Sequence, residues 1–486
     1  MMSLKKFLIF CLLLCISVTS FSQFEVNIKG SFPGASGKKI RLFEFSDQIS
    51  LRHKFIDSSI IDKNNEFSFS FTSFNPKYIF FRIDHSSTGF YIEPGKNYVI
   101  NFDSVDFKNI DIRRNPYLEP IDLLLKISSS ESPILNELID SLEYMLQGFL
   151  NENLSANRRR QLAPLVIKFK EKTDSVFLGI DNLYFKNYYK YLLGRYMRIA
   201  NAKPDYLLGL EYFYDMEVLY DNTAYMDFFN SYFDSFIFTG SKGIKIQDIE
   251  FTINELGSYT ALMDSLGKDS LLRNEVLREL VLLKSMDKLY YNRDFNRNNI
   301  EKILNQVINH SKFNRHKEIA ENIIYSRTYL RPGSQAPDLF LMDGKENVFE
   351  LKDLNGKFLY LSFYTSWCVP CMEEFPIKEI LYQKYGDFIH FVSVSVDRYK
   401  TQYEQFNRNN KYSWQFYHFK DNFELLDDYH VRAFPLFVLI SPDGKIVSHT
   451  AQYPSQMIQG YFDYLKFQYF NTDREQRRKI FEDINR

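Results

Sequence analysis

Cysteine is scarce in this chain: four occur in 486 residues, Cys11, Cys15, Cys368 and Cys371. Beyond the N-terminal leader, where Cys11 and Cys15 lie, there is no second close pair of cysteines and no His-x-x-x-His, so a structural zinc site has too few ligands to form. Charge of one sign is also lacking. Sixty Lys and Arg balance 61 Asp and Glu, for a formal net charge of −1, which gives no electrostatic case for nucleic acid. No fixed repeat period occurs, so a solenoid is not supported. Beyond the N-terminus no apolar run is long enough to span a bilayer. Tryptophan is nearly absent, with 2 residues, whereas Phe reaches 47 and Tyr 34. That abundance of rings argues against disorder and for aromatic-packed cores.

Residues 1–22 read as a signal peptide. Lys5-Lys6 supply the positive end, Phe7 to Val18 the short apolar stretch, and Ser20-Phe21-Ser22 the small residues of a cleavage site. A lipidated Cys15 is disfavoured by the large Leu14 before it. Cleavage removes Cys11 and Cys15. The exported chain, expected in the periplasm or an equivalent compartment, then keeps a single cysteine pair where disulfides form.

At this length the chain needs several cores. Residues 23–115 read as a small antiparallel β-sandwich of about seven strands. Phe67-Ser68-Phe69-Ser70-Phe71 alternates strictly, and Asp62-Lys63-Asn64-Asn65 and Glu93-Pro94-Gly95-Lys96 are turns. Residues 116–330 read as an all-α domain of five to eight helices. In one of these, Leu272, Val276, Leu280 and Leu283 share a face, with Asp269 or Ser270 as the cap. The dense aromatics between Tyr206 and Phe238 favour packed helix faces over a ligand groove. Residues 331–486 form a third domain of α/β character, with strands over Phe388 to Val396 and Leu436 to Ile440 and a final helix over Pro454 to Phe470. The fold class is thus multidomain α+β.

The third domain is organised around Leu359 to Pro376. A continuous β-rich apolar run, Phe358 to Tyr364, reads as a buried parallel strand. It breaks at Thr365-Ser366, and a helix opens at Cys368-Val369-Pro370-Cys371. With Cys368 as the cap and Cys371 in the first turn, the two sulfurs come within disulfide reach. Free backbone N–H groups and the positive helix end favour a thiolate at Cys368. A staple across so short a loop removes little unfolded-chain entropy, so the pair reads as redox chemistry.

The residues from Gly333 to about 470 resemble the exported TlpA/ResA-type thiol-disulfide oxidoreductases of thioredoxin fold. The likeness rests on Gly333-x-x-Ala336-Pro337-Asp338, Leu354-x-Gly356-Lys357, Trp367-Cys368-Val369-Pro370-Cys371, Glu374-Phe375-Pro376 and Phe434-Pro435, in the family's order. The N-terminal β-region resembles a domain of unknown function often fused to such proteins. The resemblance implies a mixed sheet flanked by helices, Cys368 as attacking and Cys371 as resolving thiol, and Pro435 as a cis-proline facing them. Glu374 matches an acidic position near the site, where its charge would raise the pKa of Cys371. Trp367 and Phe434 would contact substrate.

Two departures stand out. Thioredoxins carry a buried Asp beneath the pair where this chain has Ser362, so proton handling would fall to water or Glu374. The residue before the cis-proline is usually small or β-branched, and here it is Phe434.

The reading is an exported thiol-disulfide oxidoreductase, more a reductase than an oxidase, acting on disulfides of protein substrates. It would be recycled by a membrane-borne thiol reductant, with no cofactor, metal, nucleic acid or membrane span after cleavage. The alternatives are a peroxiredoxin-like peroxidase, which shares the Ala336-Pro337-Asp338 opening, and a non-enzymatic redox-sensing adaptor.

Overall fold

Alternating apolar residues and well-formed turns build two sheets from the N-terminal region. A computed structural model describes residues 24–107, 120–128, 134–153, 161–241, 243–342, 348–354 and 356–470. The expected signal peptide, with Cys11 and Cys15, lies outside the described residues. Eight strands follow: β1 (Glu25–Ser31), β2 (Lys39–Phe45), β3 (His53–Ile60), β4 (Glu66–Thr72), β5 (Lys77–Ile83), β6 (Ser86–Ile92), β7 (Asn97–Phe102) and β8 (Leu125–Ser128). They form two four-stranded sheets, β4-β1-β7-β8 and β3-β2-β5-β6.

The period of two is visible in burial. Phe67 and Phe69 are buried while Ser68 and Ser70 face out, and Tyr98, Ile100 and Phe102 are buried along β7. The Asp62 carboxylate accepts from the N–H groups of Asn64 (2.8 Å) and Glu66 (2.7 Å), which fixes the turn into β4. Before β7, Gly95 holds a φ of +73°, the left-handed position that this Pro-Gly turn requires. One pairing departs from the expected antiparallel pattern. β1 runs parallel to β7, which is possible because the intervening strands supply the long crossover.

The helical stretch carries ten α-helices among the described residues, more than the five to eight expected. Breaks at Pro and Gly alone give the lower number. Many boundaries are instead set by side-chain caps: Asn182, Asn222, Ser258, Asn274 and Asn296 each accept from a backbone N–H in the first turn of the next helix. The expected helix through Leu272 is corrected in the same way. Asp269 caps only a short 3₁₀ turn, Ser270–Leu272. The α-helix Glu275–Leu289 starts anew from Asn274, whose side chain accepts from Val276 and Leu277. Leu280 and Leu283 are buried as expected.

The aromatic stripe is core. Tyr212, Phe213, Tyr225, Phe228, Phe229, Tyr232 and Phe233 are all buried, and Tyr191 meets Tyr225 edge-on at 4.6 Å between ring centroids. Most of the chain as far as Arg327 clusters into one compact unit, and the chain from Thr328 onward belongs to a second, together with short earlier stretches such as Asp84–Ser86.

The second unit is built on a mixed five-stranded sheet. Its strands are β11 (Phe358–Tyr364), β12 (Ile389–Ser395), β13 (Gln415–His418), β14 (Leu436–Ile440) and β15 (Ile446–Ser448), in the order β13-β12-β11-β14-β15. A short hairpin of β9 (Phe340–Met342) and β10 (Val348–Glu350) precedes them. β11 lies at the centre, parallel to β12 and antiparallel to β14, and all seven of its residues are buried. Such a strand reads as a continuous apolar run because both of its faces are covered.

The helices here are α1 (Val369–Tyr385), α2 (Lys400–Asn409), α3 (Phe423–Asp428) and α4 (residues 459–470). The last is shorter than expected. Pro454–Gln456 is a 3₁₀ turn, and Met457 at φ +61° interrupts the chain before α4 begins.

The cap assignment at Glu275–Leu289 is testable. Asn274→Ala removes an acceptor for two backbone donors and should lower stability by about 0.5–2 kcal/mol in thermal denaturation. A loss caused by Asp269→Ala but not by Asn274→Ala would contradict it.

Candidate active site

The site grows from the end of β11. The Cys368 N–H donates to the Thr365 carbonyl oxygen at 3.1 Å, turning the chain sharply out of the strand. Cys368 is then the N-cap of α1, with extended backbone. Its sulfur accepts the Cys371 backbone N–H at 3.2 Å, and its carbonyl accepts that of Met372 at 3.1 Å. Pro370 occupies the first turn, where its missing N–H costs nothing. Cys368 and Cys371 are joined as a disulfide, with Cα atoms 5.3 Å apart. Cys371 is fully buried and Cys368 is 3 % exposed, whereas Val369 between them is 66 % exposed.

The turn before the pair is anchored by a group the sequence reading did not single out. Asp397, just beyond β12, is buried. Its carboxylate accepts from the Ser366 N–H (3.0 Å), the Ser366 hydroxyl (2.9 Å) and the Ser395 hydroxyl (2.8 Å). Burial pushes its pKa above the ordinary value, although these bonds pull the other way. The only sequence signal was an acid closing an apolar strand.

The remaining expected residues fall as follows. Glu374 is buried on α1, and both its oxygens accept from Ser455, one from the N–H (2.8 Å) and one from the hydroxyl (2.6 Å). It therefore ties α1 to the Pro454–Gln456 turn. Trp367 is half-buried and Phe434 is buried. The Phe434–Pro435 peptide bond is cis. Leu436 pairs with Phe363, so Pro435 stands at the same end of β11 as the cysteines.

Ser362 is fully buried, and its hydroxyl is hydrogen-bonded to the Lys378 side-chain nitrogen at 2.7 Å. Lys378 was missed. It lies on the stripe Cys371, Phe375, Lys378, Tyr382, Tyr385 that turns α1 toward the sheet, and a lysine inside that apolar period was the legible signal.

Residues 355–446 match a thioredoxin-like family model, and residues 26–132 match a domain of unknown function (DUF4369). The thiol-disulfide oxidoreductase ResA of Bacillus subtilis (strain 168) is 32 % identical over 136 residues, spanning 28 % of this chain and 75 % of the relative. The chain belongs to the ResA-type thiol-disulfide oxidoreductases. ResA of Oceanobacillus iheyensis is likewise 32 % identical over 133 residues, covering 26 % of this chain and 69 % of that protein. A crystal structure of a putative thiol-disulfide oxidoreductase from Bacteroides vulgatus is 33 % identical, covering 28 % of this chain and 95 % of that one, with a TM-score of 0.26.

As a ResA-type oxidoreductase, the chain carries its enzyme in the C-terminal α/β unit, behind the strand-rich and helical regions. Among the described residues no group of His, Cys, Asp and Glu is arranged to hold a metal, and no helix is long and apolar enough to cross a membrane.

Asp397 gives a pH test with a definite sign. Its raised folded-state pKa means that its contribution to stability is fullest below the ordinary carboxylate value and declines as pH rises through the folded value. Both tryptophans, Trp367 and Trp414, lie in this unit, so their fluorescence reports its melting. The Tm of wild type minus that of Asp397→Asn should fall as pH is raised from about 4 to about 7. A difference independent of pH would contradict the assignment.

Proposed function

We propose that the protein is an exported reductase of protein disulfides. Cys368 attacks and Cys371 resolves. The observation that carries this reading is the placement of Cys368 as the cap of α1, its sulfur accepting the Cys371 N–H. That donor and the helix N-terminus stabilise negative charge on sulfur, so the reduced form holds Cys368 as a nucleophilic thiolate.

The thiolate attacks one sulfur of a substrate disulfide, forming a mixed disulfide and releasing the other sulfur as a thiol once protonated. Cys371 loses its proton and attacks Cys368, which restores the Cys368–Cys371 bond and frees the second substrate thiol. A membrane-borne thiol reductant returns two electrons to the pair. Export rests on the leader-like sequence of residues 1–22.

Substrate docking is assigned to the end of β11. No backbone hydrogen bond of Phe434 is found among the described residues, which leaves its peptide free to pair with an extended segment as one more strand. Trp367 and Phe434 form the apolar lips, and Pro435 shapes the edge. Glu374, on the same helix as Cys371, disfavours a second negative charge there.

Cys368→Ser should abolish insulin reduction, and Cys371→Ser should accumulate mixed disulfides with substrate, both read by non-reducing mass spectrometry. Wild-type turnover in the Cys368 variant would overturn the reading.

A further inference from the structure

Lys378 is fully buried, and among the described residues no carboxylate bonds to it. Its nitrogen meets the hydroxyls of Ser362 (2.7 Å) and Ser393 (2.9 Å) and the Val392 carbonyl oxygen (3.3 Å). The rings of Trp414, Tyr360 and Phe437 surround it at 5.1, 5.5 and 5.7 Å from their centroids.

This cage suits two protonation states. An ammonium has three donors for three acceptors and three ring faces to favour its charge. A neutral amine keeps two donors and accepts from a serine hydroxyl. Ser362 and Ser393, themselves 2.9 Å apart, can exchange donor and acceptor roles by rotation. Burial alone drives the amine well below the ordinary lysine value. An isolated cation here thus needs an anion to balance it.

Besides the Glu374 carboxylate, the source of such an anion along this helix is the redox pair. Lys378 follows Cys371 by seven residues, about 10 Å along the helix on the same face, and helical side chains lean back toward the N-terminus. Other titrating groups around it are few. Glu374, one turn up α1, is committed to Ser455. Tyr360 on β11 donates to the Gln452 carbonyl oxygen, and its phenol is held far above its ordinary pKa by burial. Tyr382 lies one turn down. The contacts from β12, β14 and the Trp414 segment are uncharged.

We propose that Lys378 is the proton store of the redox pair: a neutral amine while Cys368 and Cys371 are joined, and an ammonium once reduction leaves a thiolate on Cys368. It is a positioning residue, acting on the sulfurs through its charge. The proposal rests on the reading of the pair as a disulfide reductase.

The exchange balances. The reduced enzyme holds the Cys368 thiolate, the Cys371 thiol and the Lys378 ammonium. A substrate disulfide takes two electrons from the two cysteine sulfurs, and its S–S bond breaks as the enzyme's forms. The Cys371 proton and the extra Lys378 proton end on the two substrate thiols, leaving the enzyme disulfide and a neutral amine. The thiol reductant runs the same balance in reverse.

The test is NMR of the lysine Cε–Hε group in the full chain at pH 7.5, assigned through its contacts to the Trp414 and Tyr360 rings. The signal is expected at the neutral position in the oxidised protein and at the charged position after reduction with dithiothreitol. The same protonation state in both forms overturns the proposal. In Lys378→Met, the Cys368 thiol pKa, read from alkylation rate against pH, should rise by about one unit. An unchanged value also overturns it. Insulin reduction by wild type is measured on the same samples. Its absence fells the functional reading and this proposal together, whereas full insulin reduction with an unchanging Lys378 fells this proposal alone.

Discussion

The structure of the catalytic unit depends on one corner, where β11 stops and α1 starts. The strand is buried on both faces, so its course is rigidly set by packing. The chain then has three residues, Thr365 to Trp367, in which to reverse into a helix. The bond from Cys368 N–H to the Thr365 oxygen and the clamp of Asp397 on Ser366 fix that reversal. Only with the corner fixed does the Cys371 N–H reach the Cys368 sulfur. The chemistry of the pair follows from that donor and from the helix end behind it.

The second constraint is the polar layer beneath the corner. Buried polar and titratable groups are tolerated when their bonds are satisfied. Asp397 and Glu374 each accept from a backbone N–H and a hydroxyl, and Lys378 has three oxygen partners and an aromatic surround. Each ties a different piece to the corner. Asp397 joins it to β12, Glu374 joins α1 to the Pro454–Gln456 turn, and Lys378 joins α1 to β11 and β12. The first unit shows the same habit away from any cysteine: buried Glu279 accepts from Tyr259 and Ser311 and contacts His316, itself buried.

What was legible in the sequence was local and periodic. The apolar run of β11, the Cys-Val-Pro-Cys cap and the alternation of β4 and β7 each express a period or a motif that neighbouring residues determine. The helix boundaries between Leu135 and Thr328 were less legible because Asn and Ser caps set them, and those residues are also common in loops. Leu272 shows this well, since its apolar spacing continued through a real break at Asn274. The parallel pairing of β1 with β7 joins residues too distant in sequence for any local signal. Lys378 and Asp397 were missed because their roles exist only where helix and sheet meet. The family resemblance directs attention to Ser362, whereas the titratable group in that layer, Lys378, comes from the helix.

The proposed function requires that Cys368 and Cys371 form a reversible pair poised to reduce other disulfides. Its most direct measurement is the equilibrium of the full chain with glutathione and dithiothreitol buffers of graded potential, with the pair's oxidation read by alkylation and mass. A single two-electron transition near the thioredoxin value of roughly −270 mV is expected. A pair that stays oxidised below about −300 mV, as a structural disulfide does, or one that titrates near the strongly oxidising value of about −120 mV, would contradict it.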